Sequence, residues 1–164
     1  MNELEDYLGV KLISACPMNL GDYNNFKGWK IPENEDPTKL GYLVKYNPEY
    51  ISWSPKEVFE KAYRPTTGLN FGLALEALKL GKKITRAGWN GKGMFLWLKP
   101  QNIVESSWCK DPMLKELSDN NGGSILALGT ICMYTHDSTG RKAILTGWLA
   151  SQSDMFADDW QIIY

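Results

Sequence analysis

The spacing of hydrophobic and polar positions changes period several times along the chain, and the changes mark its elements. Residues 9–15 alternate loosely, as a half-buried strand does, and residues 41–46 and 50–53 flank the turn pair Asn47-Pro48 like the arms of a hairpin. A helix is predicted directly after, with Ser54 as N-cap, Pro55 at the first helical position and Glu57 completing a capping box before Val58, Phe59 and Ala62. Residues 18–38 mix Asn, Gly, Pro and acidic side chains around Trp29 without periodicity and read as a long irregular excursion. Pro65 and Gly68 then break the chain within a few residues, the best place for a domain boundary.

The pattern sharpens from Leu69 onward. Asn70 is placed to cap a helix whose apolar stripe is Phe71, Leu73, Ala74, Ala77 and Leu78, and Gly81 to close it in the left-handed conformation. Residues 83–89 and 94–98 read as strands joined by Asn90-Gly91-Lys92-Gly93, a strong hairpin signal. Residues 100–123 interrupt the pattern with a small helix of their own, capped by Asp111 with Pro112 first. A second hairpin, 130–135 with 142–148, turns around Asp137-Ser138-Thr139-Gly140. Residues 150–159 hold one or two helical turns, and 160–164 make a last strand. The expected fold class is α+β: a small antiparallel sheet of hairpins packed with short helices, preceded by a small β-hairpin/helix module. The expected domains are 1–64, of no assignable role, and 65–164, which binds the ligand and carries an insertion near 101–123.

Composition narrows the function. With 43% hydrophobic and 23% charged residues among 164, the chain has the make-up of a soluble globular protein. A formal net charge of -1 spreads no basic field over the surface, so a nucleic-acid polymer is a poor partner. Three cysteines without CxxC spacing, no leader-like start and no run of about 18 apolar residues fit a reducing cytosol and no membrane. Seven Trp and eight Tyr exceed what a core this small requires, so some of them should line a pocket or reach the surface. No cofactor or metal is implied by any spacing. His136 is the sole histidine and falls in a hairpin turn with Asp137, Ser138 and Thr139, no GxxxxGK[ST], HExxH or GxSxG occurs, and Asp158-Asp159 stand without further oxygen ligands, so the chain does not read as an enzyme.

The stretch Asn70-Phe71-Gly72-Leu73-Ala74-Leu75-Glu76-Ala77-Leu78, continued by Gly81-Lys82-Lys83-Ile84-Thr85-Arg86-Ala87-Gly88-Trp89-Asn90-Gly91-Lys92-Gly93-Met94, resembles the opening of the Thoeris anti-defence protein of the second type. Leu145-Thr146-Gly147-Trp148-Leu149-Ala150-Ser151-Gln152-Ser153-Asp154-Met155, followed by Asp158-Asp159-Trp160, resembles its close. The likeness is weakest over 101–123. Residues 1–64 are similar only to a module found in many phage proteins of no known role. The resemblance implies a molecular sponge acting in the cytoplasm of an infected bacterium. Family members bind the TIR-generated signal glycocyclic ADP-ribose without cleaving it, in pockets built where the subunits of a homotetramer meet, and some also capture cyclic dinucleotides at a separate site.

The candidate binding residues each have a plainer reading beside the functional one. Trp89, in the segment Gly88-Trp89-Asn90-Gly91, either stacks on a purine or packs on Trp148 and the first helix of this block. Asn90 either meets a base edge or ribose or serves only the turn, and Arg86 either pairs with a phosphate or is a solvated strand charge. Thr146, Trp148, Ser151, Gln152 and Asp154 concentrate short hydrogen-bonding groups beside a ring, as a nucleotide site requires. The competing view makes Ser153 an N-cap and Asp154 a first-turn acid, which requires no ligand; since Trp148→Ala risks the fold as well, Asp154→Ala is the cleaner probe of this cluster. Phe71, at a helix start, faces either a phosphate or the core. A virion-associated protein using its aromatics for subunit packing and a nucleotide-metabolising enzyme are the other two classes consistent with these residues.

Overall fold

Pro65 closes the first of two units into which the chain divides, and Thr66–Tyr164 form the second; the computed structural model describes residues 10–164. In the first unit β1 (Ser14–Pro17), β2 (Gly41–Lys45) and β3 (Ile51–Pro55) make an antiparallel sheet in the order β1-β2-β3. The Asn47 side chain holds the β2–β3 turn by accepting from the backbone N–H groups of Glu49 and Tyr50. Of the expected strand 9–15, Gly9 lies outside the described residues, and pairing begins only at Ser14.

Among the described residues, two helices complete this unit. The first, α1 (Leu20–Lys27), lies inside the stretch expected to be irregular. Its sequence carries no apolar stripe, so periodicity cannot reveal it. Its ends are instead defined by Asn19, which accepts from the Asp22 N–H, and by Gly28 at φ +69°. The second, α2 (Lys56–Ala62), follows β3 without a side-chain cap. Ser54 pairs with Tyr42 inside the sheet, so the expected Ser54 cap and Glu57 capping box do not form. From α2, Phe59 stacks on Tyr42 at 4.1 Å and on Tyr63 at 5.0 Å.

Gly41 is required by packing: a Cβ there would overlap the Trp53 ring and the Ser54 carbonyl, and the Trp53 indole is held in place by its N–H donating to the Met18 carbonyl at 2.8 Å. Gly41→Val is therefore expected to destabilise the first unit by about 1–3 kcal/mol through overpacking. Chemical denaturation followed by Trp fluorescence checks this, and an unchanged midpoint would contradict the packing.

The second unit runs α3 (Phe71–Lys79), β4 (Lys83–Arg86), β5 (Phe95–Lys99), β6 (Asn102–Glu105), α4 (Pro112–Asn120), β7 (Ser124–Ala127), β8 (Thr130–His136), β9 (Lys142–Thr146), α5 (Gln152–Met155) and β10 (Trp160–Ile163). Five of its strands form an antiparallel sheet in the order β10-β4-β5-β8-β9. Register aligns Ile162, Ile84, Leu96 and Met133 in a row across four strands. Onto that row α3 lays Ala74, Ala77 and Leu78, whose two small side chains let helix and sheet approach closely. Each large aliphatic side chain fully buried here contributes roughly 1.5–3 kcal/mol.

The helix ends are those the sequence predicts. Asn70 accepts from the Leu73 N–H at 2.9 Å, and Gly81 at φ +73° closes the other end with Gly81 N–H to Leu78 O and Lys82 N–H to Ala77 O.

Three expectations need correction. The β4–β5 connection is not a tight Asn90-Gly91 hairpin: β4 stops at Arg86, β5 starts at Phe95, and of the residues between only Gly93 has a positive φ, +77°. A type I′ turn needs two such residues in succession, and the loop is instead held from outside by α5 and the segment before β10. The interruption extends past 123, because β7 pairs with β6 in a separate two-stranded sheet over which α4 sits, capped as predicted by Asp111. Finally, His136 ends β8 with its ring 6.1 Å from that of Tyr134, and the turn itself is held by Asp137, which accepts from the Thr139 and Arg141 N–H groups.

Candidate functional site

Where β4 ends, β10 begins and α5 passes between, one buried carboxylate collects donors from three parts of the second unit. Ser151 is the N-cap of α5 and Asp154 its third residue; each side chain bonds the other's backbone N–H, a capping box. The cap is thus Ser151, not Ser153. Asp154 Oδ2 accepts from the Ser151 N–H at 3.0 Å and the Ser151 hydroxyl at 2.6 Å. Its Oδ1 accepts from Arg86 Nη1 at 2.8 Å and from the Trp89 indole N–H at 3.0 Å. The backbone carbonyl of the same residue accepts from the indole of Trp160 at 3.0 Å.

Arg86 bridges to a second carboxylate. Its Nε donates to Asp159 Oδ1 at 2.8 Å, while Nη1 also reaches the Ser153 carbonyl at 3.2 Å. Asp159 Oδ2 takes the Gly88 N–H at 2.6 Å and its carbonyl the Ala87 N–H at 3.1 Å, so the start of the 87–94 connection is fastened directly to the residue before β10. The Arg86 guanidinium lies 5.9 Å from the Trp160 ring centroid, which adds a cation–π contact.

These bonds set the charge states. Burial pushes the Asp154 carboxyl upward, but the bonds from Ser151, Arg86 and Trp89 outweigh it and hold it down at about 2. The bond from Arg86 keeps Asp159 below the usual carboxylate range, and Asp159 followed by Asp154 raises the guanidinium. At neutral pH the cluster is one cation between two anions.

Above it stand three tryptophans in mutual edge-to-face contact: Trp89 and Trp160 at 5.4 Å, Trp89 and Trp148 at 6.1 Å, Trp148 and Trp160 at 6.2 Å. Trp160 is fully buried, whereas Trp89 and Trp148 are half-buried. Both therefore pack on the core and keep part of each ring toward solvent. Phe71 is half-buried with its ring 5.5 Å from that of Trp160. Asn90, Thr146, Ser151 and Gln152 are exposed. Leu149 and Phe156, one on each side of α5, are 88% and 82% exposed, a large apolar display for two adjacent segments.

Of the nine residues singled out from sequence, Arg86, Trp89, Ser151 and Asp154 meet in one hydrogen-bonded cluster, and Phe71 and Trp148 join it through ring contacts. Arg86 is neither solvated nor unpaired, and Asp154 is no neutral probe, since removing it strips the partner from four donors. Sequence reasoning missed Asp159, Gly88 and Trp160. Asp159 was legible only as half of an acidic pair without metal partners, and nothing local ties it to Arg86, 73 residues away. Ser151 had a signal, the S-x-x-D spacing to Asp154.

The second unit is thus an antiparallel five-stranded sheet with one helix packed on it and a buried Trp160 flanked by the half-buried Trp89 and Trp148. Residues 69–163 match the family model of the Thoeris anti-defense 2-like domain, and the chain belongs to that family. Its role is accordingly one of phage anti-defense against Thoeris. The chain is 33% identical over 104 residues to Thoeris anti-defense 2 of Bacillus phage SP01, an alignment covering 59% of this chain and 97% of that protein. Among the described residues no helix is long and apolar enough to cross a membrane, and no group of three or more His, Cys, Asp or Glu side chains is placed to hold a metal ion.

Proposed function

We propose that the second unit sequesters the signal glycocyclic ADP-ribose without cleaving it, in the cytoplasm of the infected host. The observation that carries this reading is the pair Trp89 and Trp148. Each is anchored on one side by the buried Trp160 and open in part on the other, so each offers a pre-organised ring for an adenine to stack on. In this reading the exposed Asn90, Thr146 and Gln152 offer donors and acceptors for ribose hydroxyls and base edges, and Ser151, whose N–H and hydroxyl are given to Asp154, acts through that carboxylate. Arg86 keeps its Nη2 protons outside the internal bonds described above, directed to a phosphate in this reading. Phe71 acts from beneath, through Trp160.

Mixing pure protein with glycocyclic ADP-ribose, removing free nucleotide and releasing what is bound by heat tests this. Intact nucleotide supports sequestration, altered nucleotide means an enzyme, and no retained nucleotide rejects both. Running cyclic dinucleotides in parallel reads the ligand range.

The exposed Leu149 and Phe156 beside this mouth need cover, and a closed homotetramer with the sites at subunit contacts supplies it. Light scattering is expected to give about four times the 18.6 kDa of one chain. A stable monomer at micromolar concentration rejects the assembly. Since the ligand-facing residues all belong to Thr66–Tyr164, a chain beginning at Thr66 is expected to fold cooperatively and bind as tightly as the full chain. A folded truncation that has lost binding would place part of the pocket in the first unit.

A further inference from the structure

We propose that Asp154 is a positioning residue of the signal site: its carboxylate fixes the plane of the Trp89 ring and fastens the 87–94 connection to α5 without itself touching the ligand. The inference rests on the reading that Trp89 faces the nucleotide. A carboxylate has about four lone-pair directions, and all four are filled from within the chain. Oδ1 takes Arg86 Nη1 and Trp89 Nε1, and Oδ2 takes the N–H and the hydroxyl of Ser151. No acceptor site is left for a ribose hydroxyl or an exocyclic amine, and a negative carboxylate has no proton to give to a phosphate.

What Asp154 does reach is the one polar atom of Trp89. The edge-to-face contacts with Trp160 and Trp148 are ring packing without a directional bond, which by itself permits more than one orientation of the indole. A bond from Nε1 to an anion removes that freedom, because the nitrogen can meet Oδ1 in only one ring orientation. The anion is in turn held against Arg86, whose other arm grips Asp159, which grips the Gly88 N–H immediately before Trp89. Loop and ring are thus fixed at two points by one connected set of bonds. The result is a stacking surface that exists before the nucleotide arrives, so its ordering does not subtract from affinity.

The test reads affinity and ring mobility separately in the full chain. Calorimetry with glycocyclic ADP-ribose gives the first. Solvent exchange of the Trp89 indole proton in ligand-free protein gives the second, its resonance assigned by its absence in Trp89→Phe. In Asp154→Asn, which keeps the side chain's shape, affinity is expected to fall by about 10- to 100-fold, the range for removing an outer partner of a binding group. Indole exchange is expected to rise at least about tenfold. Unchanged affinity overturns the proposal. So does lost affinity with unchanged exchange, which makes Asp154 a direct ligand contact.

If Asp154→Asn does not fold, the ligand-free parent decides on exchange alone: a Trp89 indole proton exchanging at least about tenfold slower than that of the exposed Trp108 supports positioning, and one exchanging as fast rejects it. If the parent protein does not bind the nucleotide, the sequestration reading falls. Trp89 exchange in the variants then still determines whether Asp154 holds the ring.

Discussion

Asp154→Ala is expected to lower the unfolding free energy of the second unit by about 3–5 kcal/mol, the range for removing one partner of a buried ion pair. The substitution removes one carboxylate, yet the loss comes from what is left behind. Arg86, only 15% exposed at its side chain, keeps its charge with one carboxylate instead of two. The Trp89 indole N–H and the Ser151 hydroxyl lose their acceptor in a half-desolvated setting, each at roughly 1–3 kcal/mol where no water can replace it. Against a total stability of about 5–15 kcal/mol this is a large fraction, a fall in Tm on the order of 20 °C for a unit this size.

The same group imposes a pH dependence whose sign follows from its depressed pKa. Asp154 is held at about 2 in the folded chain against 3.8 for the free group. The folded state therefore prefers the ionised form, and the stabilisation is fully present above about pH 4. It is lost as pH falls through the interval between those values and is gone below about 2, a contribution of about 2 kcal/mol. Asp159 shifts in the same direction and adds to the acid loss. Calorimetric melts of parent and Asp154→Ala between pH 2 and 7 check both claims: the gap between the curves should narrow by about 2 kcal/mol toward the acid end. A constant gap across that range would mean the carboxylate's charge is irrelevant.

Trp89→Ala carries the largest expected effect on binding. Stacking of a base on an aromatic ring is worth about 1–3 kcal/mol, which is about a 5- to 150-fold loss of affinity for glycocyclic ADP-ribose. The loop survives the substitution in outline, since Arg86, Gly88 and Ala87 still hold Asp159. It does not survive unharmed, because the ring also packs on Trp148 and Trp160, and a drop in stability accompanies the loss of affinity. Affinity measured well below the variant's melting temperature separates the two. Salt should alter it little, as the site's charged groups are already paired with one another and the chain carries no net positive field. A folded Trp89→Ala protein that binds as tightly as the parent would make Trp89 purely a core residue.

What the sequence disclosed depended on how far its signals reach. Helix α3 was legible at both ends because Asn70 and Gly81 act on backbone groups within four or five residues of themselves. The Asp111-Pro112 start of α4 was legible for the same reason. Helix α1 was not, since it is held by a cap, a glycine and the close approach of Gly21 to Pro37 rather than by a stripe. Asn90-Gly91 misled because the usual turn chemistry was overridden by contacts to Asp159 and Asp154, 65 to 73 positions away. The residue types of the site were readable. Their division into groups that face outward and groups that bond one another was not, because it follows from the pairing of Arg86 with Trp160 across β4 and β10.

That pairing also orders events in time. The bonds that fasten the Trp89 loop to α5 and to the residue before β10 join residues 86–89 to residues 153–159, spans of 65 to 73 positions. Closing so long a span carries an entropic penalty that local helices such as α3 escape, and contacts of this separation form slowly. The hairpin of β8 and β9 and the helix α3 can be in place while the tryptophan cluster is still open, and the mouth of the site takes shape only when β10 docks beside β4. A chain arrested before that step would hold most of its secondary structure and none of the bonds that fasten the Trp89 loop.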